Sequence, residues 1–208
     1  MTELGTINDP ELIARHGVVR LSKLAALLEK CIELDIKIVT AESLTAGLIS
    51  SALTELSGSS KMLDRAYIVY NNAAKIQMLG VDAGDLRVHE AVSEPVARQM
   101  AIGALYQSHA DVSVSVTGYA SAGGDDTRNI AGGTVFIGSA FRDNRGNLAI
   151  FEVTENHFTP ERFACREETL SAAIDVLSRT IEHLITNYPS KVASGGVQSQ
   201  QTEKAHGS

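Results

Sequence analysis

The chain alternates between segments with helical and with strand-like spacing of apolar residues. From Glu11 to about Leu34, apolar residues recur every three or four positions between lysines and glutamates, which predicts an amphipathic helix with room for a shorter one before it. Short β-branched runs at 36–41 and 66–71 enclose a helical segment at 44–56. This order predicts a βαβ unit, in which two parallel strands are joined by a right-handed crossover.

The rest of the chain predicts further helices, three strands and one long loop. The predicted elements are a helix at 72–79 that stops at Gly80, a helix at 93–108, strands at 111–118, 134–141 and 148–154, and a helix from 159 to about 186. The loop at 119–133 is rich in Gly, Asp and Ala, and loops of about 15 residues are usually functional or mobile. The order of elements predicts a three-layer α/β/α sandwich with a mixed, mainly parallel sheet.

Length and composition narrow the domain organisation and the partners. The 208 residues suit a single domain at 1–188, and residues 189–208, mostly Ser, Gly, Gln and charge, are predicted to be a disordered tail. With 18 Lys+Arg against 25 Asp+Glu, the net charge of -7 lacks the basic character of a nucleic-acid binder. Without a signal core or a run of about 18 apolar residues, we expect a cytoplasmic protein with no membrane partner.

Metal and redox chemistry find no support in the pattern of cysteines and histidines. Cys31 and Cys165 are far apart and have no ligand spacing, so we expect two reduced thiols. Neither a metal nor a cofactor is therefore expected. An anionic small molecule would need a local positive site.

Chemically interesting residues lie at or beyond the carboxyl ends of three predicted strands. Ser43 follows the first, Lys75 comes shortly after the second, and Thr117 and Gly118 end the third. Ligands of such sheets bind outside the carboxyl ends of parallel strands, so we expect these residues on one edge. Serine needs a base to act as a nucleophile at neutral pH, and a lysine whose pKa is lowered by burial is one solution.

Plainer interpretations of the same residues stay open. Ser43 suits the N-cap of the helix that follows it, and Lys75 suits a solvated helix position. The two interpretations of Ser43 are compatible, because N–H groups at a helix start, here near Ala46 and Gly47, also suit an oxyanion or a phosphate.

Several ordered motifs together resemble one family. They are Thr40-Ala41-Glu42-Ser43, Gly58-Ser59-Ser60, Tyr70-Asn71-Asn72-Ala73-Ala74-Lys75, Leu79-Gly80-Val81, Ala91-Val92-Ser93-Glu94-Pro95-Val96-Ala97, Val116-Thr117-Gly118, Gly133-Thr134-Val135 and Arg162. From about Leu21 to Leu184 the chain resembles the carboxy-terminal domain of the competence/damage-inducible protein CinA, whose stand-alone members are nicotinamide-nucleotide amidases. The resemblance implies hydrolysis of nicotinamide mononucleotide to nicotinate mononucleotide and ammonia, without a metal.

The resemblance also implies roles for individual residues. Ser43 would be the nucleophile that forms an acyl-enzyme, Lys75 its base, and Tyr70 the group that orients the pair or relays a proton within it. Arg162 would hold the phosphate of the substrate, which suits a planar guanidinium, although a surface charge is its plainer interpretation. The other expected substrate-binding residues are Thr45, Gly47, Asn72, Thr117 and Gly118. Family members often form homodimers or higher homo-oligomers, so we expect one here.

Loops around the expected pocket depart from the family pattern. The family usually has Ser-Cys-Thr-Gly-Gly where this chain has Ser43-Leu44-Thr45-Ala46-Gly47, so that Ala46 adds a methyl group where backbone approach is close. The segments 119–133 and 159–162 differ as well. Two alternatives to the amidase therefore stay open: an inactive or diverged nucleotide-binding relative, and an amidase for a different carboxamide.

Overall fold

A five-stranded sheet forms the middle layer of the molecule. The computed structural model describes residues 9–189, so residues 1–8 and, of the tail predicted at 189–208, all but Pro189 lie outside the described part. The strands are β1 (Ile38–Glu42), β2 (Leu63–Ile68), β3 (Val112–Gly118), β4 (Thr134–Arg142) and β5 (Leu148–His157). Their order is β2-β1-β3-β4-β5. β1 pairs in parallel with both β2 and β3, whereas β4 pairs antiparallel with β3 and with β5. This pairing confirms the predicted mixed sheet.

Helices cover both faces of this sheet. They are α1 (Pro10–Leu34), α2 (Leu48–Leu53), α3 (Asn72–Leu79), α4 (Ala83–His89), α5 (Glu94–Tyr106) and α6 (Arg162–Asn187), with a 3-10 turn at Ser59–Lys61. One core lies between the sheet and α1, α2 and α6, and a second lies between the sheet and α3, α4 and α5. The predicted three-layer α/β/α sandwich is therefore confirmed. Within residues 9–189, no helix combines the length and apolar character that crossing a membrane requires.

The central strand β3 presents a different chemistry to each core. Its valines at 112, 114 and 116 pack in the core that α1 and α6 cover. Its hydroxyl side chains donate to carbonyl oxygens on the other side: Ser113 to Ala101 at 2.9 Å, Ser115 to Ala97 at 2.6 Å and Thr117 to Ala91 at 2.7 Å. Buried polar groups need hydrogen-bond partners, and these carbonyl oxygens supply them within the protein.

Several element boundaries differ from the predicted ones. The helix α2 begins at Leu48, later than the predicted residue 44, and β2 begins at Leu63, earlier than the predicted residue 66. The helix α4 was not predicted, because Leu86 is its single buried residue and gives no periodic signal; Asp82 caps it by accepting from two backbone amides. The kink at Gly17 (φ 73°) divides α1 into a short first part and a long second part, in line with the predicted shorter helix.

Candidate active site

Lys75 and Ser43 are in contact at the carboxyl edge of the parallel strands. Nζ of Lys75 donates to Oγ of Ser43 at 3.1 Å, and also to the carbonyl oxygens of Val69 at 2.7 Å and Tyr70 at 3.4 Å. Ser43 follows β1, whereas Val69 and Tyr70 follow β2. The parallel pairing of these neighbouring strands therefore brings the serine and the lysine together.

Lys75 is buried, so the interpretation as a solvated helix residue is wrong. Its side chain is 1% exposed, and burial lowers the pKa of its amine from 10.5 to about 8. A neutral amine has two N–H bonds and one lone pair. The ammonium donates all three bonds; once it has lost a proton, the carbonyl oxygens of Val69 and Tyr70 can accept both remaining N–H groups, and the bond to Ser43 reverses, so that the hydroxyl donates to the lone pair. This is the arrangement in which a lysine can remove a serine proton.

The turn after β1 is organised by Glu42, a residue for which no role was predicted from the sequence. Its side chain is fully buried. The carboxylate accepts five hydrogen bonds, from the hydroxyls of Thr40 and Thr45 and from the amides of Gly47, Ile49 and Ser50, at 2.8 to 3.1 Å. A hint was present in the sequence, because an acid stands directly before Ser43 and a threonine and a glycine follow within one turn.

These bonds correct two expectations about the start of α2. The N-cap position is Gly47, and the carboxylate of Glu42 takes the free N–H groups that a capping side chain normally satisfies, so Ser43 does not cap the helix. For the same reason, these N–H groups are not available to an oxyanion or a phosphate. The amide of Leu44, next to Ser43, has no acceptor within residues 9–189.

Two residues with left-handed backbone complete the turn. Ala46 has φ 50° and Gly47 has φ 95°. Glycine adopts this conformation freely, whereas in other residues it costs about 1–2 kcal/mol. A Cβ on Gly47 would lie 3.2 Å from Cδ1 of Ile68, but Ala46 is exposed. The departure from the family pattern at Ala46 therefore introduces backbone strain beside Ser43 and does not obstruct the pocket.

A pocket of about 210 Å³ opens in front of the Ser43–Lys75 pair. It is lined by Ser43, Leu44, Tyr70, Lys75, Ala91, Val92, Thr117, Gly118, Tyr119, Ala120, Ser121 and Arg162. Most of the predicted site residues are in this set, but three predicted substrate-binding residues are not. The hydroxyl of Thr45 is buried against Glu42, the amide of Gly47 is bound to the same carboxylate, and Asn72 is exposed at the start of α3.

The remaining predicted residues lie around the pocket in distinct settings. Tyr70 is 62% exposed, and its carbonyl oxygen, not its hydroxyl, contacts Lys75. The hydroxyl of Thr117 donates its proton to Ala91, so towards the pocket it can only accept. Arg162 is exposed at the first residue of α6. Its neighbour Glu161 caps the helix, and bonds from the amides of Ala164 and Phe163 lower the pKa of that carboxyl.

The site and the fold define a class of protein: an α/β/α domain with a Ser/Lys pair at the carboxyl edge of its parallel strands. Residues 21–181 match the family model of the CinA C-terminal domain. The chain belongs to this family, and the resemblance inferred from its motifs is confirmed.

Individual relatives agree with this assignment. The chain is 39% identical over 150 residues to the nicotinamide-nucleotide amidohydrolase PncC of Enterobacter agglomerans, a match that covers 72% of this chain and 86% of that protein. It is 40% identical over 146 residues to a CinA-like protein of Mycobacterium tuberculosis, covering 70% of this chain and 32% of that protein. The chain thus spans about a third of the length of its larger relatives.

Solved structures of the family share the fold. The crystal structure of the competence/damage inducible protein CihA from Agrobacterium tumefaciens matches with a TM-score of 0.69 at 36% sequence identity, over 76% of this chain and 93% of that chain. A competence damage-inducible protein A from Klebsiella pneumoniae matches with a TM-score of 0.70 at 28% identity, over 78% of this chain and 96% of that chain.

Proposed function

We propose that this protein is an amidohydrolase that converts nicotinamide mononucleotide and water into nicotinate mononucleotide and ammonia. The observation that carries the proposal is the 3.1 Å hydrogen bond between Oγ of Ser43 and the buried amine of Lys75, whose pKa is lowered to about 8. The PncC relative supports the choice of substrate. Arg162 supports it as well, because a guanidinium at the pocket suits the phosphate of a mononucleotide.

The first half of the proposed reaction forms an ester on Ser43. Neutral Lys75 takes the proton of the hydroxyl as Oγ attacks the carboxamide carbon. The negative charge that develops on the carboxamide oxygen is stabilised by a backbone N–H, and we assign the amide of Leu44 to this role. As the C–N bond breaks, the ammonium of Lys75 returns its proton to the leaving nitrogen, and ammonia departs.

The second half hydrolyses that ester. Lys75 is neutral again and takes a proton from a water molecule, whose oxygen attacks the acyl carbon. When the C–O bond to Ser43 breaks, Lys75 returns the proton to Oγ, and nicotinate mononucleotide leaves. In this scheme, Tyr70 and Thr117 shape the pocket around the carboxamide, and Arg162 holds the phosphate.

An ammonia-release measurement on the purified protein tests the proposal. Nicotinamide mononucleotide, nicotinamide riboside and nicotinamide are compared, and we expect the mononucleotide to react fastest because it alone carries the phosphate. Ser43→Ala removes the nucleophile and abolishes ammonia release. Ser51→Ala is the matched control, because this exposed serine on α2 lies outside the pocket. Parent-like activity of Ser43→Ala would exclude the proposed mechanism.

A second candidate function is that of an amidase for a different carboxamide, and the diverged loop at the pocket supports it. Tyr119 and Ser121 line the pocket within the segment 119–133, which departs from the family pattern. If another amide releases ammonia in a Ser43-dependent reaction while nicotinamide mononucleotide does not, the chemistry stands and the substrate is reassigned. If no amide reacts but the mononucleotide binds, the protein is a nucleotide-binding relative without activity.

A further inference from the structure

An arginine on α6 reaches the turn that carries Ser43. Nη2 of Arg166 donates to the carbonyl oxygen of Thr45 at 2.8 Å, across a separation of 121 residues. None of the ion pairs within residues 9–189 includes Arg166, and its Nε is buried without a hydrogen-bond partner. Charge pairing therefore does not explain the position of Arg166. Burying part of a guanidinium without a carboxylate partner costs free energy, so its bond to Thr45 calls for another explanation.

The bond from Arg166 completes the restraint of Thr45. This residue is fully buried, and its hydroxyl donates to Glu42 at 2.8 Å. Thr45 is therefore held through its side chain by a carboxylate, and its carbonyl accepts from the guanidinium and, at 3.2 Å, from the amide of Leu48. The next residue, Ala46, has a strained backbone that would relax if the turn were free. The contacts from Glu42 and Arg166 therefore add to the hydrogen bond within the turn, from the amide of Ala46 to the carbonyl of Ser43 at 3.2 Å, in keeping this shape.

We infer that Arg166 is a positioning residue for the nucleophile, acting through the carbonyl of Thr45 on the Ser43-Leu44 segment. Fixing this carbonyl sets the direction of Oγ of Ser43 and of the Leu44 amide, the two groups assigned above to attack and to oxyanion stabilisation. The inference deepens the proposed function and rests on it. Arg166 itself does not line the pocket.

Arg162 stands one helical turn before Arg166, so the two side chains share a face of α6. Arg162 lines the pocket, whereas Arg166 bonds to the turn behind it. Two arginines that are neighbours on one face of α6 are thus assigned separate roles. Arg162 contributes to substrate binding and is expected to affect KM, whereas Arg166 aligns the reacting groups and is expected to affect kcat.

The kinetic test compares Arg166→Met, Arg166→Lys and Arg162→Met. We expect Arg166→Met to lower kcat by about 100-fold, because a misplacement of reacting groups by about 1 Å can slow a reaction by this factor. KM should stay within about twofold of the parent's value. Arg166→Lys should recover part of kcat, since an ammonium can also donate to the Thr45 carbonyl. The pH at which kcat/KM levels off should equal that of the parent in both variants. Arg162→Met should raise KM by about tenfold or more.

Arg179→Met is the matched control, because Arg179 also lies on α6 and bonds to Glu152 on β5, away from the pocket. It should leave kcat and KM unchanged. A rise in KM at constant kcat in Arg166→Met would overturn the positioning role and make Arg166 a substrate-binding residue. Unchanged kinetics would overturn it too. If Arg166→Met does not fold, Arg166→Lys decides in the same way.

A second measurement separates this inference from the choice of substrate. A fluorophosphonate reagent labels activated serines, and mass spectrometry of peptides locates the label. If the parent is labelled at Ser43 but releases no ammonia from nicotinamide mononucleotide, the proposed function fails while the inference is still tested. Labelling should then be slower in Arg166→Met than in the parent and in Arg179→Met. Equal labelling rates would refute the positioning role, and an unlabelled Ser43 in the parent would refute both proposals.

Discussion

Lys75 donates a 3.1 Å hydrogen bond to Oγ of Ser43, although 32 residues separate the two in sequence. The contact depends on β1 and β2 being parallel neighbours, since each residue follows one of these strands. The ability of Lys75 to act as a base depends on its burial, which lowers the pKa of the amine to about 8, so that part of it is neutral near neutral pH. A lysine in the same position but open to water would remain protonated, and its contact with Ser43 would carry no basic chemistry.

The first prediction concerns the pH dependence of the proposed amidase. Only the neutral form of Lys75 can accept the serine proton, so kcat/KM should rise about tenfold per pH unit below pH 8 and level off above it. Ammonia release measured between pH 6 and 10 gives this profile. Lys75→Arg should be inactive throughout, because a guanidinium stays protonated. A flat profile through pH 8 would contradict the assigned base.

The second prediction concerns the stability cost of the same lysine. The unfolded chain keeps the proton of Lys75 up to about pH 10.5, whereas the folded protein releases it above about pH 8. The unfolded state thus binds more protons between these values, and the parent's free energy of unfolding should rise with pH across this window. Below pH 8 the cost of the buried ammonium is fully present.

Replacing the amine isolates this effect. At pH 7, Lys75→Met should unfold with a free energy higher by about 1–3 kcal/mol than the parent, and this gain should shrink towards pH 10.5. Urea unfolding at pH 7, 8.5 and 10 measures both values. Lys23→Met removes an exposed lysine of α1 and serves as the control, for which no such pH-dependent gain is expected. A destabilised Lys75→Met at pH 7 would show that the lost bonds outweigh the lost charge.

The third prediction uses the two left-handed residues after Thr45. Ala46→Gly removes the penalty of the positive φ but adds entropy to the unfolded chain, so the free energy of unfolding should rise by up to about 1 kcal/mol. Gly47→Ala should lower it by about 1 kcal/mol or more, since φ is 95° and the new Cβ would press on Ile68. Thermal and urea unfolding distinguish the two. Equal effects of the two variants would argue against this turn geometry.

The fourth prediction concerns Glu42. Both of its carboxylate oxygens accept from backbone amides, so the NH₂ group of Glu42→Gln must face an N–H donor in either orientation. We expect a loss of about 2–4 kcal/mol in the free energy of unfolding. Glu152→Gln, at a partly exposed pair with Arg179, should lose less than about 1 kcal/mol. Similar losses in both variants would mean that the Glu42 network is not a main support of the turn.

Local patterns predicted most of the fold. The alternating residues of β3 and the Ser93-Glu94-Pro95 start of α5 each produced the expected element, although the hydroxyl of Ser93 donates to the carbonyl of Glu90 and does not cap the helix. The start of α2 was missed because its cap comes from Glu42, a strand residue. No helix propensity encodes such a contact, which exists only once the strand and the turn are in place.

The candidate site, like the fold, was predicted only in part from the sequence. The positions of Ser43, Lys75 and Thr117 at or after the ends of predicted strands were enough to place them on one edge, because the carboxyl ends of neighbouring parallel strands meet at the same edge of a sheet. The burial of Lys75 was suggested by its apolar neighbours but required the packed fold. The contact of Arg166 with Thr45 joins segments 121 residues apart, and no local pattern signals it.

The hydroxyls of β3 also determine which parts of the pocket can change shape. Ser113 and Ser115 each donate to a carbonyl on α5, and Thr117 donates to the carbonyl of Ala91 just before that helix, so a slide of α5 by one residue would break the bonds of Ser113 to Ala101 and of Ser115 to Ala97. The wall formed by Ala91 and Val92 therefore keeps its distance from Thr117 on the strand. Tyr70, the exposed Arg162 and residues 119–121 line the rest of the pocket. The β3 side of the pocket is thus fixed by side-chain hydrogen bonds to the backbone, whereas Tyr70 and the 119–133 segment take no part in these three bonds.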